Sequence, residues 1–316
     1  MHKNISDFKI GEEYSGAYIC KTHSLKLTSS NSTYLDMQII DKTGEINGKC
    51  WTIPKGFEVD KIEDGNFIAL ILQIEEYKGK MQAKITNIRL ITPDDNFDKS
   101  EIIPVAPEPA DDMYKEICDT VDDMANGDLS KLVKNILDEN KDGLMVCPAA
   151  KTMHHAVVSG LLQHLTGMLR LGKAIAGLYP MVNRDLLLSG IILHDICKIR
   201  EFSLGPVGIC TDYSKEGKLL GHISMGASYI ERKCDELEID GEIKLLLMHM
   251  ILSHHGEPEY GSAVRPMFLE AVLLNAIDNI DAKVYMCADA LRGVEDNQFS
   301  EKVFGMDNVQ LYKHKL

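Results

Sequence analysis

Five histidines and two aspartates interrupt otherwise apolar, helix-like stretches in the second half of this 316-residue chain, in the order H…HD…H…HH…D. They are His164, His194, Asp195, His222, His254, His255 and Asp278. A buried imidazole or carboxylate needs a partner, so the helices that carry these seven side chains are expected to bring them together. Neutral imidazole nitrogen and carboxylate oxygen are ligands for borderline first-row divalent ions, and two ions can share one carboxylate. His164, His194, Asp195 and Asp278 form one four-ligand set. His222, His254 and His255 form a second, with Asp195 bridging. Any one of these histidines alone is more simply a hydrogen-bonded core or surface residue, but the ordered set together points to metal-assisted hydrolysis.

The first ninety residues carry a different pattern. TYLDMQIID, GEINGKCWTI, NFIALILQIEEY and KMQAKITNIRLI alternate or run apolar between turn sequences such as DKTGE, EDGN and YKGK. Five or so short strands in that length predict a small OB-like barrel, with a β-sandwich as the plainer alternative. Four prolines and many acids without periodicity then mark a linker. From Met113 onward the signal is helical, with an Asn/Asp cap opening NRDLLLSGIILHDICKI and a glycine closing GEIKLLLMHMILSHHG. The predicted fold is a multidomain β + α chain: an OB-like β-barrel over 1–92, a linker over 93–112 and an all-α bundle over 113–316.

Apolar content of 45% and charged content of 26% are those of an ordinary globular protein. No apolar run of membrane-spanning length and no leader-like N-terminus are present. Eight scattered cysteines without a CxxC pair argue for reduced thiols and a cytoplasmic location. The net charge of −14 does not exclude a polyanionic substrate, because residues 92–128 alone hold 12 acidic against 2 basic residues while 1–91 hold 12 of each.

Around the seven, Lys198 lies three residues beyond Asp195, near the same face if the helix continues, where an ammonium offsets charge growing on a phosphoryl oxygen. A helix-end cation is its plainer role. Arg265 is either a phosphate clamp or a surface arginine. His155 falls nine residues before His164, which on a continuous helix puts it on the opposite face. That suits a substrate contact better than a ligand, and His154 is equally hard to place. His249 reads as structural; His2, His23 and His314 read as surface residues. In the barrel, Tyr34, Trp51, Tyr77 and Phe57 are candidate base-stacking aromatics.

The seven residues resemble the HD-domain phosphohydrolases, which hold one or two metals in a helical bundle. With HHAVVSGLLQH, LLLSGIILHDICKI, YSKEGKLLGHI, ILSHHGEPEYGSAVRP, DNIDAK and FGMDNVQLYK in this order behind an OB-like segment, nearly the whole chain is similar to the YhaM-type 3′→5′ exoribonucleases. The resemblance implies two divalent ions, Mn²⁺ with Co²⁺ or Fe²⁺ as alternatives. These would be bound by the seven residues, with Asp195 and Lys198 catalytic and His155, Tyr213 and Arg265 as substrate contacts beside Tyr34 and Trp51. It implies removal of 5′-monophosphates from the 3′ end of single-stranded RNA, with single-stranded DNA a second substrate, no membrane partner, and compatibility with a homo-oligomer. Two other functions fit the same residues: hydrolysis of a cyclic dinucleotide or alarmone, and single-strand binding without catalysis.

Overall fold

In a computed structural model, residues 2–151 and 155–316 are described. The strands of the first ninety residues are β1 (Glu13–Leu27), β2 (Thr33–Asp41), β3 (Gly44–Cys50), β4 (Asn66–Tyr77) and β5 (Lys80–Leu90). Alternation decides their faces: Ile68, Leu70, Leu72 and Ile74 of β4 point into the core, with Ala69, Ile71 and Gln73 between them only half-buried. The sheet closes in the order β1-β2-β3-β5-β4, with β3 parallel to β5 and β1 antiparallel to β4. This is the five-stranded barrel of an OB fold.

The helical part contains α1 (Ala110–Asp122), α2 (Gly127–Leu144), α3 (Gly160–Leu178), α4 (Arg184–Leu193) and the single turn α5 (Lys198–Glu201). A short hairpin of β6 (Phe202–Leu204) and β7 (Cys210–Tyr213) leads to α6 (Lys215–Glu236), α7 (Gly241–Ser253) and α8 (Leu269–Ala290). A second hairpin, β8 (Gln298–Val303) with β9 (Val309–Lys313), follows α8. Every residue of α4 after Arg184 is buried, which makes it the central helix, and Asn183 caps it by accepting from the Leu186 amide at 3.1 Å. At about 1.5–3 kcal/mol per fully buried aliphatic side chain, its run of Leu and Ile anchors this part of the fold. Part of the acid excess is structural here: Glu108 and Glu116 both grip Arg170 at 2.7 Å.

The chain divides into two units, Met1–Val105 with Ser203–Asp212, and Ala106–Phe202 with Tyr213–Leu316. In the first, Gly65 at φ +75° faces Gly205, and a Cβ on Gly65 would lie 2.7 Å from the Gly205 Cα. Two backbones approach there because neither residue has a side chain. His2 and His23 are not free surface residues. His2 lies 3.1 Å from the buried Asp41, and His23 lies 2.6 Å from Asp64. None of the eight cysteines, all among the described residues, forms a disulfide, and no described helix is long and apolar enough to cross a membrane.

Candidate metal centre

Helix ends build the centre. His194 is the C-cap of α4 and His254 the C-cap of α7, positions where the last carbonyls lack intrahelical donors. Each ring supplies one: Nδ1–H donates to the Ile191 carbonyl at 2.8 Å and to the Ile251 carbonyl at 2.7 Å, respectively. A carbonyl only accepts, so both Nδ1 atoms are protonated and both Nε2 atoms are left to face the centre. His255 repeats the arrangement on the Tyr260 carbonyl at 2.8 Å.

Carboxylates do the same for the other two. In α3, His164 donates from Nδ1 to Asp281 Oδ2 at 2.7 Å. His222 follows Gly221, whose φ of 69° and ψ of 159° break α6. Glu201 accepts from both the freed His222 amide and its Nδ1, each at 3.0 Å. All five imidazoles are therefore held through Nδ1 by a second partner, the support that metal-ligating histidines generally have.

Asp195 lies in the middle, 2% exposed. Its Oδ2 is 2.6 Å from Lys198 Nζ, 3.2 Å from His194 Nε2 and 3.9 Å from His164 Nε2. Its Oδ1 is 3.3 Å from His222 Nε2 and 3.7 Å from His254 Nε2. Asp278 Oδ1 lies 3.3 Å from His164 Nε2. The carboxylate thus separates the histidines into two groups, one per oxygen. Donor atoms of His164, His194 and Asp195, of His194, His254 and Asp278, and of His222, His254 and His255 fall within 4.8 Å of one another in each trio.

The electrostatics are those of a site built for cations. Burial alone would raise Asp195, but Lys198, His194 and His222 hold it well below the ordinary carboxylate range. Burial opposes the charge on Lys198, and Asp195 outweighs it. Burial likewise opposes protonation of His164, but Asp278 and Asp281 push it up to about 9. Burial and neighbouring His194 keep His254 well below its usual value. Buried polar atoms normally find partners, yet among the described residues the Nε2 atoms of His194, His222 and His254 and the Oδ1 of Asp195 have no hydrogen bond. The donor set and these orphaned atoms fit divalent cations, which bind neutral imidazole and ionised carboxylate.

All seven expected ligands and Lys198 converge, although α4 stops at Leu193 and Lys198 reaches Asp195 across a turn rather than along a continuing helix. The supporting carboxylates Glu201 and Asp281 do not stand out in the sequence. Glu201 matters only because a kink turns His222 toward it; Asp281, one turn after Asp278 in DNIDAK, is detectable as a second acid on the same helix face.

The remaining expected contacts are dispersed. His155 does not lie on α3 but before it, at φ +53°, so the opposite-face geometry does not apply. It is buried, with Nε2 2.9 Å from Asp281 and its ring on Tyr285; His154 lies outside the described residues. Tyr213 is 39% exposed beside Phe202. Arg265 is exposed and donates to Glu257 at 2.8 Å. His249 accepts from the Met267 amide, a structural role. In the barrel unit, Tyr34 and Trp51 pack with ring centroids 4.6 Å apart, and Lys49 Nζ lies over both rings and over Tyr77. Trp51 is 45% exposed.

The HD domain model matches residues 161–283, a range that contains all seven expected ligands; an HD domain implies divalent-metal binding. Proteins named 3′-5′ exoribonuclease YhaM are similar along almost the whole chain. The Listeria welshimeri protein is 40% identical over 315 residues, spanning 99% of this chain and 98% of that one. The Oceanobacillus iheyensis and Bacillus subtilis proteins are 39% and 36% identical over 313 residues, each with 99% and 98% coverage. Among solved structures, the second OB-fold domain of replication protein A from Methanococcus maripaludis matches 31% of this chain and 100% of that one, with 14% identity and a TM-score of 0.24. At this identity and coverage, the chain belongs to the YhaM family of 3′-5′ exoribonucleases.

Proposed function

We propose that this protein is a metal-dependent 3′→5′ exoribonuclease that hydrolyses single-stranded RNA to nucleoside 5′-monophosphates, with single-stranded DNA a second substrate. Residues 1–92 would hold the strand, 93–112 connect, and 113–316 carry the hydrolytic centre. The observation that supports this most is the uniform support of all five imidazoles through Nδ1, around a carboxylate whose two oxygens face different histidine groups.

In this reading two Mn²⁺ ions would be held by His164, His194, Asp195 and Asp278 and by His222, His254 and His255, with Asp195 available to both. Bound there, they supply Lewis-acid polarisation of the phosphoryl group and activation of water at neutral pH. The chain's own residues do the rest. Water oxygen bonds to the terminal phosphodiester phosphorus, the bond to the upstream 3′-oxygen breaks, and the proton that the water gives up ends on that 3′-oxygen. Lys198, fixed against Asp195 and buried, offsets negative charge growing on phosphoryl oxygen. Glu201 and Asp281 keep their imidazoles in one orientation and one tautomer. Tyr34 and Trp51 offer stacking faces and Lys49 a cation for the strand; His155, Tyr213 and Arg265 are the contacts assigned to substrate nearer the centre.

The test is a time course on 5′-labelled single-stranded RNA with metal-stripped and then Mn²⁺-repleted protein. A metal-dependent ladder shortening from the 3′ end is expected. Intact RNA despite two bound metals would move the assignment to a small-nucleotide phosphodiesterase.

A further inference from the structure

Resting on the exonuclease reading, we infer that a groove lined by α5 and α6 binds a backbone phosphate of the RNA strand upstream of the nucleotide being removed. Its floor is Tyr229, 3% exposed and fixed through its hydroxyl, which donates to Glu139 and accepts from Asn140, both at 2.9 Å. Arg200 of α5 and Arg232 of α6 both lie over this ring, with guanidinium carbons 4.5 and 5.4 Å from its centroid. Stacking restricts both side chains while leaving their N–H edges directed elsewhere.

Those edges are largely unused. Arg200 is exposed and has neither a side-chain hydrogen bond nor a carboxylate within 4.0 Å among the described residues, and Arg232 has only a 3.5 Å contact with Glu236. The groove in front of them has a volume of about 530 Å³ and also presents the exposed hydroxyls of Ser224 and Ser228, one helical turn apart, beside Leu220 and Met225. Two guanidiniums and two hydroxyls suit a phosphodiester, and the apolar side chains suit the attached sugar or base. Glu216 also lines the groove and is the one carboxylate there; it disfavours an anion at that end and places the phosphate toward the arginines.

Position favours the strand over a free nucleotide. Arg200 is two residues from Lys198, and Ser224 is two residues from His222, so both walls of the groove also carry groups of the hydrolytic centre. The plainer role, a cation–π tie between two helices, needs no ligand and no salt dependence, which makes the two separable.

The experiment measures binding of labelled single-stranded RNA to the full chain by fluorescence anisotropy without Mn²⁺, across a salt series. Each single-strand phosphate that the protein no longer neutralises should flatten the log K against log[salt] slope by about 0.7. Arg200→Ala with Arg232→Ala removes both groups from that one phosphate and should therefore flatten it by about 0.7, and should lower kcat/KM for long RNA relative to a dinucleotide. Ser228→Glu, which leaves the Tyr229 stack alone, should weaken the same binding if the arginine variants fold poorly. A wild-type slope in the arginine variant together with wild-type affinity in Ser228→Glu overturns the inference. If AMP binding is lost with the RNA slope unchanged, the ligand is a free nucleotide and the strand assignment is wrong. Wild-type protein that neither binds nor shortens RNA would instead sink the exonuclease reading itself.

Discussion

The two units use burial in opposite ways. The barrel buries an almost wholly apolar set, including Leu35, Met37, Ile39, Leu72 and Ile74, and leaves the Tyr34–Trp51 pair with Lys49 toward solvent. Its stability and the surface proposed for recognition are therefore carried by different residues. The helical unit instead runs its central helix into a buried cluster of imidazoles and carboxylates, some of whose atoms have no protein partner. An unsatisfied buried polar group costs about 1–3 kcal/mol, so chemistry and stability share the same side chains there. Binding a cation should stabilise the helical unit and not the barrel. The single tryptophan, Trp51, lies in the barrel unit and so serves as its fluorescent probe.

The strongest way to break this contrast is Asp195→Asn. It removes the carboxylate facing both histidine groups and leaves Lys198 buried beside a neutral amide. Turnover should fall by more than about 100-fold, beyond the range typical of an outer supporting residue. Losing one partner of a buried ion pair should destabilise the helical unit by about 3–5 kcal/mol. Trp51 fluorescence through a thermal melt should be unchanged; a shifted Trp51 transition would show that the two units are energetically coupled.

Next come Glu201→Gln and Asp281→Asn, which keep shape and remove charge from the groups that orient His222 and His164. A loss of about 10–100-fold in Mn²⁺ affinity is expected for each, read by metal titration. Affinity unchanged in both would mean that the imidazoles are oriented by packing alone.

This second pair also marks where the sequence stops being legible. The seven expected ligands are visible because an ordered set of polar residues inside apolar helices has no plain structural account, and the strands because their alternation is local. Glu201 is invisible because its role depends on the break at Gly221, which turns the His222 amide and ring toward it. His155 is misjudged from helical phase, since the loop before α3 brings its ring to Asp281. The hairpin at 203–212 lies in the helical stretch of the chain, yet it packs as part of the barrel unit. Such long-range placement leaves no periodic trace. Arg265 is a different case: its pairing with Glu257 is a local tie that a surface arginine and a phosphate clamp share.

The recognition half of the comparison is sharpened by Trp51→Ala. An exposed stacking face contributes about 1–3 kcal/mol per base, so RNA affinity should fall while Mn²⁺ stoichiometry and kcat stay the same. A drop in kcat would tie the barrel's aromatic pair to the chemical step and erase the division of labour.

The smallest effect concerns the barrel's own buried charge. Asp41, 3% exposed, accepts from the Ile5 and Thr43 amides at 2.8 and 2.7 Å and lies beside His2. Burial alone would raise its carboxyl, but His2, Thr43 and the amides hold it below the ordinary value. A carboxyl depressed in the folded state contributes stability that is fully present above its unfolded value of about 3.9 and is lost as pH falls through the folded one. Asp41→Asn should therefore lower the Trp51-monitored melting midpoint near neutral pH, and the gap from wild type should narrow below about pH 4. A gap that stays constant into acid would mean that Asp41 acts through hydrogen-bond geometry, not charge. The barrel would then be as free of electrostatic dependence as its core composition suggests.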